Sequence, residues 1–376
     1  MTSKCVCEKF FARDDADMSN NTTSTTSTFS TASKISQGVY IGLLILLGVG
    51  GNSAVIFAIF KHLRFRSVTN AFILALAGCD LLNCSISMPI ALAALSMNRL
   101  PDVACQFNAV STVFSDSMSV FMVTLIGIDR LSLLNRQRKV SKKFCFGLIF
   151  LCCIISLTFS MPSAINSAKI KHHQPFIHCS YLLLGNQNLE RVKLLRGVFI
   201  IITFALPFAV MLYSLRKLFK LAGRPSVSKI TPASVQAQNL KFEGEVRTAG
   251  TVLIMITTTL LLRSPIIIAS ICQMMNVRIG PKADSTLILI NWTASVVHPF
   301  TYAIRNPLVA NLIRVKKPPL TVPPPVPAAV MDRSRRSSLT SKATGEVNSW
   351  PDLIFPTLRK ISNISVDTSK TVTSNV

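Results

Sequence analysis

Seven long apolar stretches, each carrying few charged residues, follow one another along the chain. They cover Gly38–Phe60, Ala71–Met97, Cys105–Leu134, Phe144–Ala168, Gly197–Leu215, Thr248–Asn276 and Ser285–Ile304. A helix of about 20 residues crosses the hydrocarbon layer of a membrane. The backbone must satisfy its own hydrogen bonds in lipid, and the alternating pattern of barrel strands does not occur, so the stretches should be helices. The pattern therefore predicts an all-α membrane protein, a seven-transmembrane helix bundle.

The composition supports a membrane protein and limits its partners. Hydrophobic residues make up 49% of the 376 residues and charged residues 15%, which is more apolar than a soluble domain of this size needs. The net charge of +24 would also suit a nucleic-acid-binding protein. The basic residues are spread between the apolar stretches instead of forming one patch, so we expect the lipid bilayer, and not nucleic acid, as a partner.

Lysine and arginine residues are concentrated in alternate connections. They follow the first and third stretches and fill the connection between the fifth and sixth: Lys61, Arg64, Arg66, Arg136, Arg138, Lys139, Lys142, Lys143, Arg216, Lys217, Lys220, Arg224, Lys229, Lys241 and Arg247. Connections rich in these residues stay in the cytoplasm. We therefore predict a multi-pass protein of the plasma membrane with an extracellular amino terminus.

On this topology the chain divides into four parts. Residues 1–36 form an extracellular tail that should be disordered, because a run of Ser, Thr and Asn cannot bury enough apolar surface to fold. Asn20 and Asn21 each begin an Asn-x-Thr sequon there, which predicts glycosylation. Residues 37–304 form the seven-transmembrane bundle, residues 305–317 a short amphipathic eighth helix, and residues 318–376 a disordered, proline-rich cytoplasmic tail.

The cysteines divide by side of the membrane. Four of them face the oxidising exterior on this topology: Cys5, Cys7, Cys105 and Cys179. We predict a disulfide between Cys105 and Cys179, which would pin the long fourth-to-fifth connection over the third helix, and we leave Cys5 and Cys7 unassigned. The remaining six, Cys79, Cys84, Cys145, Cys152, Cys153 and Cys272, are interpreted as small apolar residues. The loop histidines lack a convincing ligand set, so no metal site is predicted.

Several short motifs recur at fixed places in the apolar stretches. They are Gly51-Asn52, Leu76-Ala77-Gly78-Cys79-Asp80, Asp129-Arg130-Leu131, Pro207, Pro265 and Pro299-Phe300-Thr301-Tyr302. In order and spacing they resemble the motifs of the rhodopsin-like (class A) G-protein-coupled receptors. The resemblance extends over about Gln37 to Lys317, and it implies a receptor and not an enzyme.

The resemblance also implies how such a receptor would signal. Arg130 would pair with Asp129 and with Glu245 on the sixth helix, and an extracellular ligand would release this lock. Arg130 would then be offered to a heterotrimeric G protein, with Tyr302 as a further switch residue. A purely structural ion pair is the alternative for Arg130, and arrestin is a further partner that the resemblance implies.

Charged residues inside a membrane cost about 2.5 to 3.5 kcal/mol each and therefore mark functional candidates. The resemblance implies a sodium site in which Asp80 and Ser119 are ligands, with Ser115 and Ser295 as further oxygen donors. His298, however, replaces the family's asparagine before Pro299, and a guanidinium at Arg263 would compete with sodium. We therefore expect sodium binding at Asp80 to be disfavoured, and we predict no other cofactor.

The same stretches contain a candidate ligand pocket formed by Thr112, Asp116, Arg263 and Trp292. Arg263 replaces the tryptophan of the family's sixth-helix signature, and Asp116 should contact it. The pair has three interpretations, which are a structural ion pair, a ligand anchor, and two residues with separate roles. Thr112 replaces the aspartate of amine receptors, and Trp292 replaces the retinal-binding lysine of opsins. The ligand class is therefore not identified.

The tail carries two interaction signals. Arg335-Arg336-Ser337-Ser338 resembles a basophilic-kinase site with Ser338 as acceptor, and Ser374-Asn375-Val376 resembles a ligand of PDZ domains. Two alternatives to a ligand-driven receptor stay open. A constitutively active or non-coupling relative would account for the altered motifs, whereas a transporter would account for the intramembrane charges but should show an internal repeat, which is not evident.

Overall fold

The computed structural model describes residues 30–61, 67–97, 100–136, 141–165, 177–179, 190–222, 233–277 and 279–305. Within these ranges the regular structure is helical, and we number the helices α1 to α7. They are α1, Thr31–Lys61; α2, Val68–Leu82 continued by Asn83–Ser87 and Met88–Ser96; α3, Asp102–Arg136; α4, Lys142–Ile165; α5, Glu190–Ile200 continued by Ile201–Ala205 and Leu206–Ala222; α6, Ala233–Met274; and α7, Pro281–Arg305. The predicted seven-helix architecture is confirmed.

Six of the described helices, α1 to α6, are long and apolar enough to cross a membrane. α7 has 25 residues, or about 38 Å at 1.5 Å per residue, and it packs against α1 and α6 in the same bundle. We call the end of the bundle that carries Cys105 the disulfide end and the end that carries Arg130 the arginine end.

Two helices extend beyond the predicted apolar stretches. α1 begins at Thr31, inside the segment predicted to be a disordered tail, because the hydroxyl of Ser30 accepts a hydrogen bond from the amide of Ser33 (3.3 Å) and caps the helix. α6 begins at Ala233 and has 42 residues, about 63 Å. Both helices therefore begin before the apolar stretches that were predicted for them.

α2 and α5 each contain one π-helical turn, Asn83–Ser87 and Ile201–Ala205. A proline follows each turn by two residues, Pro89 in α2 and Pro207 in α5. A proline ring clashes with the carbonyl four residues before it and cannot donate a hydrogen bond. In both helices that carbonyl lies in the π-helical turn, so the wider turn accommodates the proline.

α3 is the central helix. It packs against α2, α4, α5 and α6. In its apolar membrane-spanning segment 78% of the residues are buried, against 22% in that of α4. Side chains of α3 therefore face protein on almost every side, and its polar residues must find partners inside the bundle.

α1 approaches α2 and α7 closely through two glycines. A Cβ atom on Gly48 would overlap the thiol of Cys84 in α2, and one on Gly51 would lie 3.0 Å from Cγ of Pro299 in α7. The amide of Asn52 donates hydrogen bonds to the carbonyls of Gly48 (2.9 Å) and Ser295 (3.1 Å). The Gly-Asn motif thus fixes the seam between α1 and α7.

The predicted disulfide between Cys105 and Cys179 is confirmed, with a Cα–Cα distance of 5.4 Å. The backbone amide of Cys179 donates to the side-chain oxygen of Asn108 (2.9 Å), whose amide nitrogen donates to the carbonyl of Ser87 (2.8 Å). The segment at 177–179 is therefore tied to α3, and α3 to α2.

The interpretation of Cys272 as a small apolar residue is wrong, because Cys272 is disulfide-bonded and its partner lies outside the described residues. The free cysteines of the described part are Cys79, Cys84, Cys145, Cys152 and Cys153. Of the ten cysteines in the chain, this leaves Cys5 and Cys7 as candidate partners. The sequence around Cys272 gave no sign of a disulfide, because Cys272 follows a run of isoleucines near the end of α6.

Candidate functional site: polar clusters inside the bundle

Three clusters of buried polar side chains lie inside the bundle. The ion-pair cluster consists of Asp116, Arg263 and Asn291; the histidine cluster of Asp80, His298 and Thr259; and the arginine cluster of Thr69, Asp129 and Arg130. Each cluster joins side chains from at least two helices.

The ion-pair cluster joins α3, α6 and α7. Nη1 of Arg263 lies 2.8 Å from Oδ1 of Asp116, and the two side chains are 0% and 1% exposed. Asn291 donates from Nδ2 to Oδ2 of Asp116 (2.7 Å) and accepts from Nη1 of Arg263 at Oδ1 (3.3 Å). The predicted contact between Asp116 and Arg263 is therefore present, and an amide of α7 connects the two charges.

The guanidinium of Arg263 keeps unused hydrogen-bonding capacity. Its Nε and Nη2 atoms are buried and have no hydrogen-bond partner among the described residues. Arginine carries five N–H donors in a planar arrangement. Arg263 therefore balances Asp116 electrostatically while several of its donors remain available to a water molecule or to an acceptor group of a ligand.

Two further residues of the predicted pocket are buried in the same part of the bundle. Thr112 precedes Asp116 by one helical turn on α3, so both residues lie on one face. Trp292 follows Asn291 on α7 and is 0% exposed. The hydroxyl of Thr112 and the indole nitrogen of Trp292 have no hydrogen-bond partner within the described ranges. In the described structure, therefore, neither of these polar atoms is hydrogen-bonded to the ion pair.

The histidine cluster joins α2, α7 and α6. Nδ1 of His298 lies 2.8 Å from Oδ2 of Asp80, and Nε2 of His298 lies 3.0 Å from the hydroxyl of Thr259. The hydroxyl of Thr259 also donates to the carbonyl of Met255 at 2.7 Å. The sequence analysis assigned His298 to one core polar site with Asp80, Ser119 and Ser295, but it did not predict the direct contact between His298 and Asp80.

The other residues of the predicted core polar site surround this cluster. The hydroxyl of Ser295 accepts from Nδ2 of Asn83 at 3.3 Å. Ser119 is 0% exposed, and its hydroxyl, like Oδ1 of Asp80, has no hydrogen-bond partner in the part of the chain that the structure describes. Oxygen atoms suited to a cation are therefore present, but one carboxylate oxygen of Asp80 already faces an imidazole. The described residues contain no group of three or more His, Cys, Asp or Glu residues that could hold a metal ion.

A narrow crevice lies beside the histidine cluster. Its walls come from α1, α2, α6 and α7, and they include Asn52, Met255, His298, Pro299 and Tyr302. Tyr302, predicted as a switch residue, thus shares this crevice with His298. The crevice places the two residues next to the same boundary between α6 and α7.

The arginine cluster joins α2 to α3. The hydroxyl of Thr69 donates to Oδ2 of Asp129 and accepts from Nη2 of Arg130. Asp129 is 3% exposed and Arg130 8%. Thr69 was not predicted, because a single threonine near the start of α2 carries no motif. The side chain of Glu245 lies outside the described residues, so the predicted contact between Arg130 and Glu245 stays a prediction.

The disulfide end contains a buried acid and a buried base. Nδ1 of His178 lies 3.4 Å from Oδ2 of Asp284 in the first turn of α7, and the two atoms are not hydrogen-bonded to each other. Burial raises the pKa of Asp284 well above its usual range. In the same part of the bundle, Arg196 of α5 is 2% exposed and donates to Oε1 of Gln273 at 3.3 Å.

The remaining predicted sites cannot be located. Asn20, Asn21, Ser338, the eighth helix beyond residue 305 and the PDZ-like terminus lie outside the described residues. They stay predictions from the sequence.

Comparison with known proteins gives matches over most of the chain. Residues 51–309 match the family model described as 7 transmembrane receptor (rhodopsin family). G-protein coupled receptor 135 of Mus musculus is 30% identical over 296 residues, which are 75% of this chain and 64% of that protein. The match therefore spans less than two thirds of the relative's length.

Two further matches extend the comparison. Neuropeptide Y receptor type 2 of Gallus gallus is 28% identical over 184 residues, which cover 47% of this chain and 48% of that receptor. The crystal structure of squid rhodopsin superposes with a TM-score of 0.65 at 17% identity, covering 76% of this chain and 86% of that one. The structural match shows that the fold is shared.

Proposed function

This chain belongs to the rhodopsin family of seven-transmembrane receptors, and we propose that it carries an extracellular ligand signal across the plasma membrane to a heterotrimeric G protein. The amino terminus would be extracellular and the arginine end cytoplasmic. Support for this orientation comes from the lysines that lie at the arginine end of the described helices: Lys61, Lys142, Lys143, Lys217 and Lys220. Such residues stay in the cytoplasm.

The observation that carries the proposal is the buried Asp129-Arg130 pair at the cytoplasmic end of the central helix. Arg130 donates to the hydroxyl of Thr69, which in turn donates to Asp129, and Arg130 is 8% exposed. A guanidinium held by hydrogen bonds inside the bundle can be released when neighbouring helices move. Release would present a cationic donor group at the membrane surface, where a G-protein α subunit would dock.

The ligand would bind between the disulfide end and the ion-pair cluster. The disulfide of Cys105 and Cys179 holds a segment over α3, and Asp116 and Arg263 would form the pocket floor. The buried donors of Arg263 and Trp292 that lack partners in the described structure favour a ligand with hydrogen-bond acceptors at its deep end. A signal from ligand to α6 would pass through Arg263.

Nucleotide exchange tests this function. Purified receptor would be mixed with a panel of G-protein heterotrimers, and guanine-nucleotide exchange would be measured without ligand and with extracts fractionated for agonist activity. Arg130→Ala should reduce exchange to background, and Glu245→Ala should raise it, since the proposed lock would be lost. Lys142→Ala, which removes an exposed charge at the same end, is the matched control and should behave like the parent. Parental exchange by folded Arg130→Ala receptor would disprove the assigned coupling.

A constitutively active or non-coupling receptor is the second candidate. Arg263 and His298 replace two residues of the family's switch motifs, and both are engaged with buried carboxylates. Exchange that is high without any ligand would favour the first form, and absence of exchange with every heterotrimer would favour the second. Arrestin and a PDZ-domain protein are proposed as further cytosolic partners on the sequence of the tail alone.

A further inference from the structure

We propose that the buried guanidinium of Arg263 is the anchor for an acidic ligand, whose carboxylate binds side-on to the Nε and Nη2 atoms. This assignment rests on the proposed ligand-binding function and narrows the ligand to an organic acid. It gives ligand recognition to the cationic member of the ion pair, and not to the carboxylate of Asp116.

The unused hydrogen-bonding capacity of the ion pair lies mainly on Arg263. Oδ2 of Asp116 accepts from Asn291 at 2.7 Å. Oδ1 of Asp116 makes no hydrogen bond, but Nη1 of Arg263 lies 2.8 Å from it, so a ligand cation placed there would be repelled by the guanidinium. Arg263 makes both of its contacts through Nη1, and its Nε and Nη2 have no partner among the described residues. A ligand at this pair would therefore find donors and not acceptors.

The two free nitrogens of Arg263 form one edge of the guanidinium plane. The hydrogen on Nε and one hydrogen on Nη2 point in the same direction, which gives a planar fork with two parallel donors. A carboxylate fits this fork with both of its oxygens, and such bidentate bonds between charged groups are short and strong. A single carbonyl oxygen would leave one of the two donors without an acceptor. The geometry therefore favours a carboxylate over a neutral amide or ketone.

Burial increases the effect of an acceptor at this edge. The side chain of Arg263 is 0% exposed. An exposed guanidinium donates to water, so a ligand gains little by replacing that water, whereas a buried donor without an acceptor is costly to leave in that state. A carboxylate that reaches Nε and Nη2 removes this cost and places a second negative charge beside the same cation.

No second cation at this level could take the carboxylate instead. Within one helical turn of Asp116 in α3, of Arg263 in α6 and of Asn291 in α7, the sequence contains no further charged residue. The hydroxyls of Thr112 and Ser115 lie on the same face of α3 as Asp116 and are neutral. Arg263 is therefore the group at this level that attracts an anion.

Asp116 competes with the ligand for Arg263. A carboxylate on the free edge lies on the other side of the guanidinium from Asp116, so the attraction to Arg263 acts over the shorter distance. At an effective dielectric constant of about 20 and a separation of about 8 Å, the repulsion from Asp116 corresponds to a factor of about 30 in affinity. Removing the charge of Asp116 should therefore strengthen the binding of an acid, whereas an anchor for a cationic ligand would be lost.

The test is thermal unfolding of the full-length purified receptor in nanodiscs at neutral pH and constant ionic strength. The probes are acetate, hexanoate and benzoate, and each is compared with the amide and the amine of the same carbon skeleton. We expect at least one acid to raise the Tm of the parent, and its amide and amine to leave the Tm unchanged. This comparison needs no variant.

Three variants assign the response to Arg263. Asp116→Asn should lower the concentration of acid at the midpoint of the Tm increase about 30-fold. Asp116→Asn combined with Arg263→Gln should abolish the response; the double change is used because Arg263→Gln alone leaves a buried carboxylate without its partner. Arg196→Gln is the matched control, since Arg196 is another buried arginine, and it should respond like the parent.

Four outcomes overturn the assignment. They are equal shifts by an acid and its amide, stabilisation by the amines, a response to acids that persists in the double variant, and the absence of any shift by the acids in both the parent and Asp116→Asn. Stabilisation by the amines would make Asp116 the anchor. The assay contains no G protein, so a failure here leaves the proposed coupling intact with a ligand of another class, and a failure of nucleotide exchange leaves this binding site intact.

Discussion

Separating Asp116 from Arg263 should reveal one of the largest pairwise interactions in the bundle. The perturbations are Asp116→Asn, Arg263→Gln and the two combined. Each single change removes one charge and leaves the other buried, with exposures of 1% and 0% in the native pair. Breaking a buried ion pair in this way costs roughly 3 to 5 kcal/mol.

The double change should cost much less than the sum of the single changes. It leaves two neutral amides beside Asn291, which can still exchange hydrogen bonds with them. Without a lone buried charge the loss falls toward that of imperfect hydrogen bonds, about 1 to 3 kcal/mol. The coupling energy should therefore be at least about 3 kcal/mol, at the upper limit of the usual range for residues in contact.

The assay is a double-mutant cycle on the thermal stability of purified receptor. Asn291→Ala is the matched control, because it removes the connecting amide and leaves both charges in place; its loss should be smaller than that of either charge change. The exchanged pair, Asp116→Arg with Arg263→Asp, should recover part of the stability of the single reversals. A coupling energy near zero would refute the reasoning and would leave Asp116 as a ligand anchor.

Three further predictions concern other contacts. Gly48→Ala should destabilise by about 1 to 3 kcal/mol, because its Cβ would overlap a thiol of α2, whereas Gly42→Ala, with open space around it, should be neutral or stabilising; thermal shifts compare the two. Burial raises the pKa of Asp284 above its unfolded value of about 3.9, so its stabilising contribution is present at low pH and is lost as pH rises. Between pH 4 and 7 the Tm of the parent should fall more than the Tm of Asp284→Asn. A difference in Tm between the two proteins that stays constant with pH would contradict this. Non-reducing peptide mapping should find Cys272 linked to the amino-terminal segment, and its replacement by Ser should cost about 2 to 4 kcal/mol; a free thiol at Cys272 in the purified receptor would show the assignment to be wrong.

The helices were predictable because the membrane imposes one simple requirement on every span. Twenty or so apolar residues had to be helical, and the described helices follow the predicted stretches. The helix ends were not predictable in the same way. α1 and α6 begin at Thr31 and Ala233, before the apolar stretches that hydropathy predicts, and the start of α1 is marked by the cap of Ser30 and not by hydropathy.

The site residues also divide into those whose contacts could be predicted from the sequence and those whose contacts could not. Asp116 and Arg263 could be paired from the sequence because the family resemblance places Asp116 beside the sixth-helix position that Arg263 occupies, and a buried charge favours a partner of opposite sign. Asn291 and Thr259 could not, because an amide or a hydroxyl in a helix has many ways to satisfy itself. His298 could be assigned to the same polar site as Asp80, but its direct contact with Asp80 could not be predicted, since that contact depends on the rotation of α7 relative to α2.

The two replaced motif residues act together in the structure. Arg263 follows Thr259 by one turn of α6, and His298 follows Asn291 by two turns of α7, so each helix presents one member of each cluster on the same face. At one level the guanidinium of Arg263 faces a carboxylate of α3, and at the other the imidazole of His298 faces a carboxylate of α2. A neutral side chain completes each link between α6 and α7. An outward movement of α6 would therefore have to break the contact of Thr259 with His298 and that of Arg263 with Asp116, leaving buried charge at the second of these. The arrangement stabilises the closed bundle. A ligand that accepts hydrogen bonds from Arg263 would first weaken the link between Arg263 and Asp116.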